Sequence, residues 1–108
     1  RFAGRDIVAI VGGYCSVSTI AMYPLTSPFH LPVLSHGAQS PLLDNRTTHP
    51  FFARIPPSTT LEAVSFATII RHFGWERIGL VYTMEPFGEG LRSKLRQVLR
   101  QDTEVVSV

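Results

Sequence analysis

Two short polar stretches hold most of the residues in this chain that could do chemistry: Gly12-Gly13-Tyr14-Cys15-Ser16-Val17-Ser18 and Ser35-His36-Gly37-Ala38-Gln39-Ser40. Each follows an apolar run, Ile7-Val8-Ala9-Ile10-Val11 and Leu31-Pro32-Val33-Leu34. Glycines and small hydroxyl residues let backbone amides approach a polar ligand closely. A helix beginning near Ser16 would add the positive partial charge of its free amides, which favours an anion. That chemistry is binding. Signals for bond-making are missing: Gly12-Gly13 does not complete a dinucleotide fingerprint, and the chain has no Walker sequence, nucleophile elbow or metal-ligand cluster. No His–Asp pair is recognisably arranged around Cys15, the only cysteine, so nucleophilic catalysis is set aside. Cys15 is then either a buried thiol or half of a disulfide. Ser16 and Ser18 cap the helix, contact a ligand, or do both. His36 either fills space and bonds locally or reaches a ligand.

These stretches need elements to hold them. Apolar runs bounded by Gly, Pro or polar residues predict strands at 6–12, 31–35, 77–82 and 103–108. Near-continuous apolar runs suit strands covered on both faces, as in a parallel sheet. A helix is predicted from Thr59. Thr59 and Glu62 have capping-box spacing, and Ala63, Phe66, Ile69, Ile70 and Phe73 form an apolar stripe. Gly74 is its expected left-handed cap, with Trp75 packing back on the last turn. Another helix is predicted over 87–101, with Leu91, Leu95, Val98 and Leu99 inward. The helix after Cys15 is less regular, because Pro24 and Pro28 should kink or end it. Alternating strands and helices give an α/β class, a three-layer doubly wound parallel sheet. In such sheets ligands bind beyond the carboxyl ends of the strands, where both polar stretches fall. The stretch 37–57, with four prolines, is a long loop to which Phe51-Phe52-Ala53-Arg54-Ile55 adds a short extended segment. Within it, Asn45-Arg46-Thr47 fits the N-glycosylation sequon.

Bulk properties narrow the classes. A length of 108 residues is near the commonest size of a domain. Hydrophobic residues make up 44%, normal for a globular protein, and the net charge is only +2. Arg92, Lys94, Arg96 and Arg100 read as the wet face of a helix rather than a phosphate patch, so no nucleic-acid partner is expected. No apolar run nears the roughly 20 residues of a membrane span. The opening Arg1-Phe2-Ala3-Gly4-Arg5-Asp6 does not read as a secretory leader. With no Met at position 1 and the ending Val105-Val106-Ser107-Val108, the expectation is a piece of a longer chain.

Several motifs in order carry a resemblance. Gly13-Tyr14-Cys15-Ser16 before a helix is followed by Phe29-His30-Leu31-Pro32-Val33-Leu34-Ser35-His36-Gly37-Ala38 and by Ser40-Pro41-Leu42-Leu43. Then come Pro50-Phe51-Phe52-Ala53-Arg54-Ile55-Pro56-Pro57-Ser58 and Phe73-Gly74-Trp75 before an apolar strand. Together they resemble the receptor-family ligand-binding region, shared by class C G-protein-coupled receptors, natriuretic-peptide-type guanylyl cyclase receptors and periplasmic amino-acid-binding proteins. The Cys-Ser and Ser-Pro-x-Leu pieces look most like metabotropic GABA receptors. The resemblance implies a type I periplasmic-binding-protein, or flytrap, fold in which residues 1–108 are part of lobe 1 and the second lobe is absent. It implies a membrane-anchored parent with this region on the extracellular side of the plasma membrane, dimerising through lobe 1. A small amino-acid-like or other polar ligand follows, with no cofactor and no enzymatic activity. The family's carboxylate-holding positions land on Ser16 and Gln39, with Ser40 one step along. His36 stands where many members carry a tyrosine. The family also places a disulfided cysteine at Cys15, with its partner upstream. The alternatives are a soluble periplasmic solute-binding protein and a cytosolic nucleotide-binding α/β enzyme.

Overall fold

The structure, a computed structural model, describes residues 6–101 and 103–107. In chain order these form β1 (Ile10–Val11), α1 (Ser16–Thr26), β2 (Val33–Ser35), β3 (Phe52–Arg54), α2 (Thr59–His72), β4 (Arg77–Leu80), α3 (Pro86–Leu99) and β5 (Glu104–Ser107). Short 3-10 turns occupy Ser27–Phe29 and Pro41–Asp44. The α/β class with parallel strands is as expected, and 51–55 does contribute a strand, β3. Val108, the expected end of the last strand, lies outside the described residues.

The grouping of strands differs from a single sheet. β1, β2 and β3 make one parallel sheet with β2 in the middle, and β4 and β5 make a second. Each sheet has its own core. Tyr23, Val33, Ala38, Leu43 and Phe52 bury one another beside the first. Ala63, Ala67, Ile70, Leu95 and Leu99 do so beside the second, between α2 and α3. The result is elongated, 58 × 22 × 21 Å, with a radius of gyration of 16.9 Å. A compact chain of this length would have about 13 Å. Pattern reading cannot detect such a break, because each strand looks alike whichever sheet receives it.

β1 is also shorter than the apolar run predicts. Only Ile10 and Val11 pair with β2, and Val8 is 81% exposed. A strand is defined by its ladder, and among the described residues β1 has a neighbour on one side only.

Pro24 does not end α1. The helix runs through it to Thr26, where the Thr26 hydroxyl and the Ser27 amide both donate to the Tyr23 carbonyl. Pro28 then sits at the start of the 3-10 turn, where a missing amide costs nothing.

α2 begins one residue away from the expected cap. Ser58 is the N-cap, and its hydroxyl accepts the Thr60 amide at 3.3 Å. Its buried face is Thr59, Ala63, Ala67 and Ile70. Phe66, Ile69 and Phe73, expected inward, are 49%, 48% and 61% exposed. The small side chains at 63 and 67 let α3 approach closely, so Leu95 and Leu99 fill the contact and the bulky residues flank it. Burying each leucine contributes about 1.5–3 kcal/mol. The expected end holds: Gly74 has φ 65°, its amide donates to Arg71 and the Trp75 amide to Ile70. Trp75 stacks on Phe73 at 5.3 Å. On α3, Leu91, Leu95, Val98 and Leu99 face the second core as expected.

Candidate functional site

The loops after β1 and β2 are sewn to each other at two points. Ser35, the last residue of β2, is fully buried. Its hydroxyl donates to the Gly13 carbonyl and accepts the amides of Gly37 and Ala38 at 3.2 and 2.9 Å. One oxygen thereby fixes the turn after β2 and docks it on the loop after β1. At the second point, the Ser16 hydroxyl accepts the Ser40 amide at 3.0 Å. Gly13 makes the approach possible. It has φ 74°, and a Cβ there would lie 2.2 Å from Thr19 Oγ1. The Thr19 hydroxyl in turn lies within hydrogen-bond distance of the Gly13 and Cys15 carbonyls.

Of the sequence-predicted site residues, the structure brings Ser16, Gln39 and Ser40 together. Ser16 is 3% exposed and Ser40 fully buried. The Ser40 hydroxyl donates to the Pro86 carbonyl at 3.0 Å and accepts the Leu42 amide at 3.3 Å. Gln39 is half-buried, and its side-chain amide donates to Glu62 at 2.6 Å. Glu62 is thus engaged across the junction instead of closing a capping box. The Gln39 carbonyl accepts the Thr59 amide at 3.1 Å. The strand-end loops of the first sheet therefore meet the N-termini of α2 and α3, which belong to the second core. Gly90 of α3 lies so close to Pro41 that a Cβ would come within 2.4 Å of its ring.

Cys15 and His36 stand apart from this junction. Cys15 is the exposed N-cap residue of α1, its carbonyl within reach of the Ser18 and Thr19 hydroxyls. The buried-thiol reading does not fit that exposure. The ring of His36, an exposed residue, lies 5.6 Å from that of Tyr14. Asn45 is on the outside of the 37–57 loop.

Arg54 is the residue that sequence reasoning missed. Its guanidinium donates to the Ala38 and Ser40 carbonyls at 3.2 and 3.0 Å and pairs with Asp44. Asp44 also accepts the Ser58 hydroxyl at 2.7 Å. A guanidinium, with several N–H donors on a rigid fork, serves these three acceptors better than an ammonium does. The motif contains the arginine, but its partners depend on the register that sets Arg54 beside Ser35. Thr59 is likewise unforeseen: its hydroxyl is buried at the junction with no hydrogen-bond partner among the described residues.

A groove of about 420 Å³ opens beside Ser40, between Pro41 and Leu42 on one wall and Pro86, Glu89, Gly90 and Lys94 on the other. None of the sequence-predicted site residues lines it. Among the described residues, no His, Cys, Asp and Glu side chains gather in a way that could hold a metal ion, and no helix is long and apolar enough to cross a membrane.

The sequence is similar to those of known proteins. The family model described as "Receptor family ligand binding region" matches residues 1–108. The chain is 31% identical over 91 residues to "Glutamate receptor 2.5" of Arabidopsis thaliana, covering 84% of this chain and 10% of that one. It is 26% identical over 95 residues to "Glutamate receptor 3.1" of Oryza sativa subsp. japonica, covering 88% and 10%. It is also 26% identical over 95 residues to "Metabotropic glutamate receptor 6" of Oryctolagus cuniculus, covering 88% and 11%. The chain thus spans about a tenth of the length of these curated relatives.

Proposed function

The chain belongs to the receptor family ligand-binding region, and from that membership we propose that it is part of the extracellular sensing domain of a cell-surface receptor. The domain takes a small amino-acid-like ligand between two lobes and signals by closing on it. The observation that carries this reading is the junction at Ser40. There, loops from one sheet meet two helix N-termini from a unit with a separate core. A cleft between two such units is where a ligand can bias an open–closed equilibrium, because it touches both sides only in the closed state. Amides at helix N-termini favour a carboxylate there. The names of the relatives make glutamate the first ligand to try.

The two sheets with separate cores support a further point about organisation. In this reading the segment carries parts of both lobes, changing over near residues 55–58. Dimerisation through lobe 1 and membrane anchoring belong to the same reading and concern the parent protein.

Ser16→Ala in the full-length receptor tests the site. The substitution leaves the Ser40 amide buried without an acceptor, which costs about 1–3 kcal/mol and removes one of the bonds that fix the 37–40 loop beside α3. A titration with α-amino acids and γ-aminobutyrate should show the response weakened about 10-fold or more, with surface expression near normal. A wild-type response from the mutant, or no response to any of these ligands by the wild type, overturns the reading.

Cys15 is, in this reading, half of a disulfide whose partner lies elsewhere in the parent chain. Its exposure at the start of α1 leaves the sulfur reachable, and extracellular compartments favour oxidation. Alkylation of the native secreted protein without reduction should leave Cys15 unlabelled. Quantitative labelling would count against the disulfide.

A further inference from the structure

The 37–57 loop carries a feature that ligand binding does not use. We propose that Asn45 is an N-glycosylation site, taking a lipid-pyrophosphate-linked oligosaccharide as donor. The inference rests on the extracellular reading above, because the transfer takes place in the secretory pathway.

Three observations converge on it. The triplet Asn45-Arg46-Thr47 has the required residue types and no proline in the middle. Residues 44–48 are all exposed, and none of 45–48 lines the groove beside Ser40. The third is conformational. Asn45 caps the Pro41–Asp44 turn with extended backbone, φ −73° and ψ 106°. Its side-chain oxygen accepts the Thr47 amide at 2.9 Å. This turn engages Oδ1, makes the side-chain amide more polarised and leaves Nδ2 as the free end. The bond joins residues two apart, so it forms locally, before the long-range packing of the domain. Behind it the loop is anchored, with Arg46 bonded to the Phe52 carbonyl and the His49 amide donating to the Asn45 carbonyl at 2.9 Å.

The chemistry balances without an oxidant or reductant. Nδ2 attacks the anomeric carbon of the donor sugar and a C–N bond forms. The bond from that carbon to the pyrophosphate oxygen breaks, and the lipid pyrophosphate leaves with the electron pair. One Nδ2 proton passes to a base. The Thr47 hydroxyl is the recognition element, so serine can replace Thr47 but alanine cannot.

The test uses the full-length protein expressed in a eukaryotic secretory host. The protein is digested with a protease, and the peptides covering Asn45 are deglycosylated with peptide N-glycosidase in heavy-oxygen water and sequenced by mass spectrometry. Asn45 should be recovered as heavy-oxygen aspartate in most copies. Thr47→Ser should keep the modification, and Thr47→Ala and Asn45→Gln should lose it along with one glycan's mobility shift. An unmodified Asn45 peptide from wild-type protein labelled at the cell surface overturns the site and leaves the receptor reading standing. A chain that never enters the secretory pathway overturns both.

Discussion

Arg54→Ala should destabilise the intact ligand-binding region by about 3 kcal/mol, seen as a lower denaturant midpoint at unchanged slope. The guanidinium is the single donor group that holds the carbonyls of Ala38 and Ser40 and the carboxylate of Asp44 together. Its side chain is only 12% exposed, so water does not fully replace it. The Asp44 end is more open, at 38%, and contributes less because solvent screens it. The carbonyl end dominates: two partly buried acceptors lose charge-assisted partners, each worth about 1.5–3 kcal/mol. Arg54→Lys keeps the charge but not the fork and should recover less than half of the loss. Since the 38–44 segment also positions Ser40 against Pro86, ligand response should fall with stability in both variants. Stability of Arg54→Ala within about 0.5 kcal/mol of wild type, the range of an ordinary surface substitution, would remove Arg54 from the organisation of this loop.

Gly13→Ala should cost a similar amount for a different reason. At φ 74° an alanine is in the left-handed region, a penalty of about 1–2 kcal/mol. Its Cβ would also stand 2.2 Å from Thr19 Oγ1 and 3.2 Å from Thr19 Cβ. Thr19 is fully buried on the first turn of α1 and cannot swing out to solvent. Relieving the overlap therefore moves the backbone of the loop, and overpacking of this kind costs about 1–3 kcal/mol. The sum, about 2–5 kcal/mol, should lower the melting temperature and loosen the Ser35–Gly13 and Ser16–Ser40 bonds together. Gly79→Ala is the control. It lies in β4 with open space around its Cα and ordinary φ, so stability should change by less than about 0.5 kcal/mol. Equal behaviour of the two variants in thermal unfolding would refute the steric account of Gly13.

The local elements of this protein are legible in its residues. Gly74 ends α2 because only glycine enters the left-handed region freely, and that requirement shows in the sequence without any partner. The inward leucines of α3 repeat at helical spacing, so their face can be read directly. The apolar runs before them put the two polar stretches at strand ends, and the structure puts Ser16 and Ser40 within one hydrogen bond. What lay beyond reach depended on contacts between elements distant in sequence. Residues 59–73 carry apolar side chains on more than one side of the helix, so periodicity could not choose the buried face. Close packing of Leu95 and Leu99 against Ala63 and Ala67 chose it. Glu62 could cap its own helix or reach Gln39, and the second option needs a loop 23 residues earlier to be in place. Arg54 gains its partners only when β3 pairs with β2 in register. The division into two sheets has the same origin. Apolar runs state that strands will be covered, while which strand lies beside which is settled by packing of the whole chain, where hydrogen-bonded ladders and buried faces must be satisfied at once.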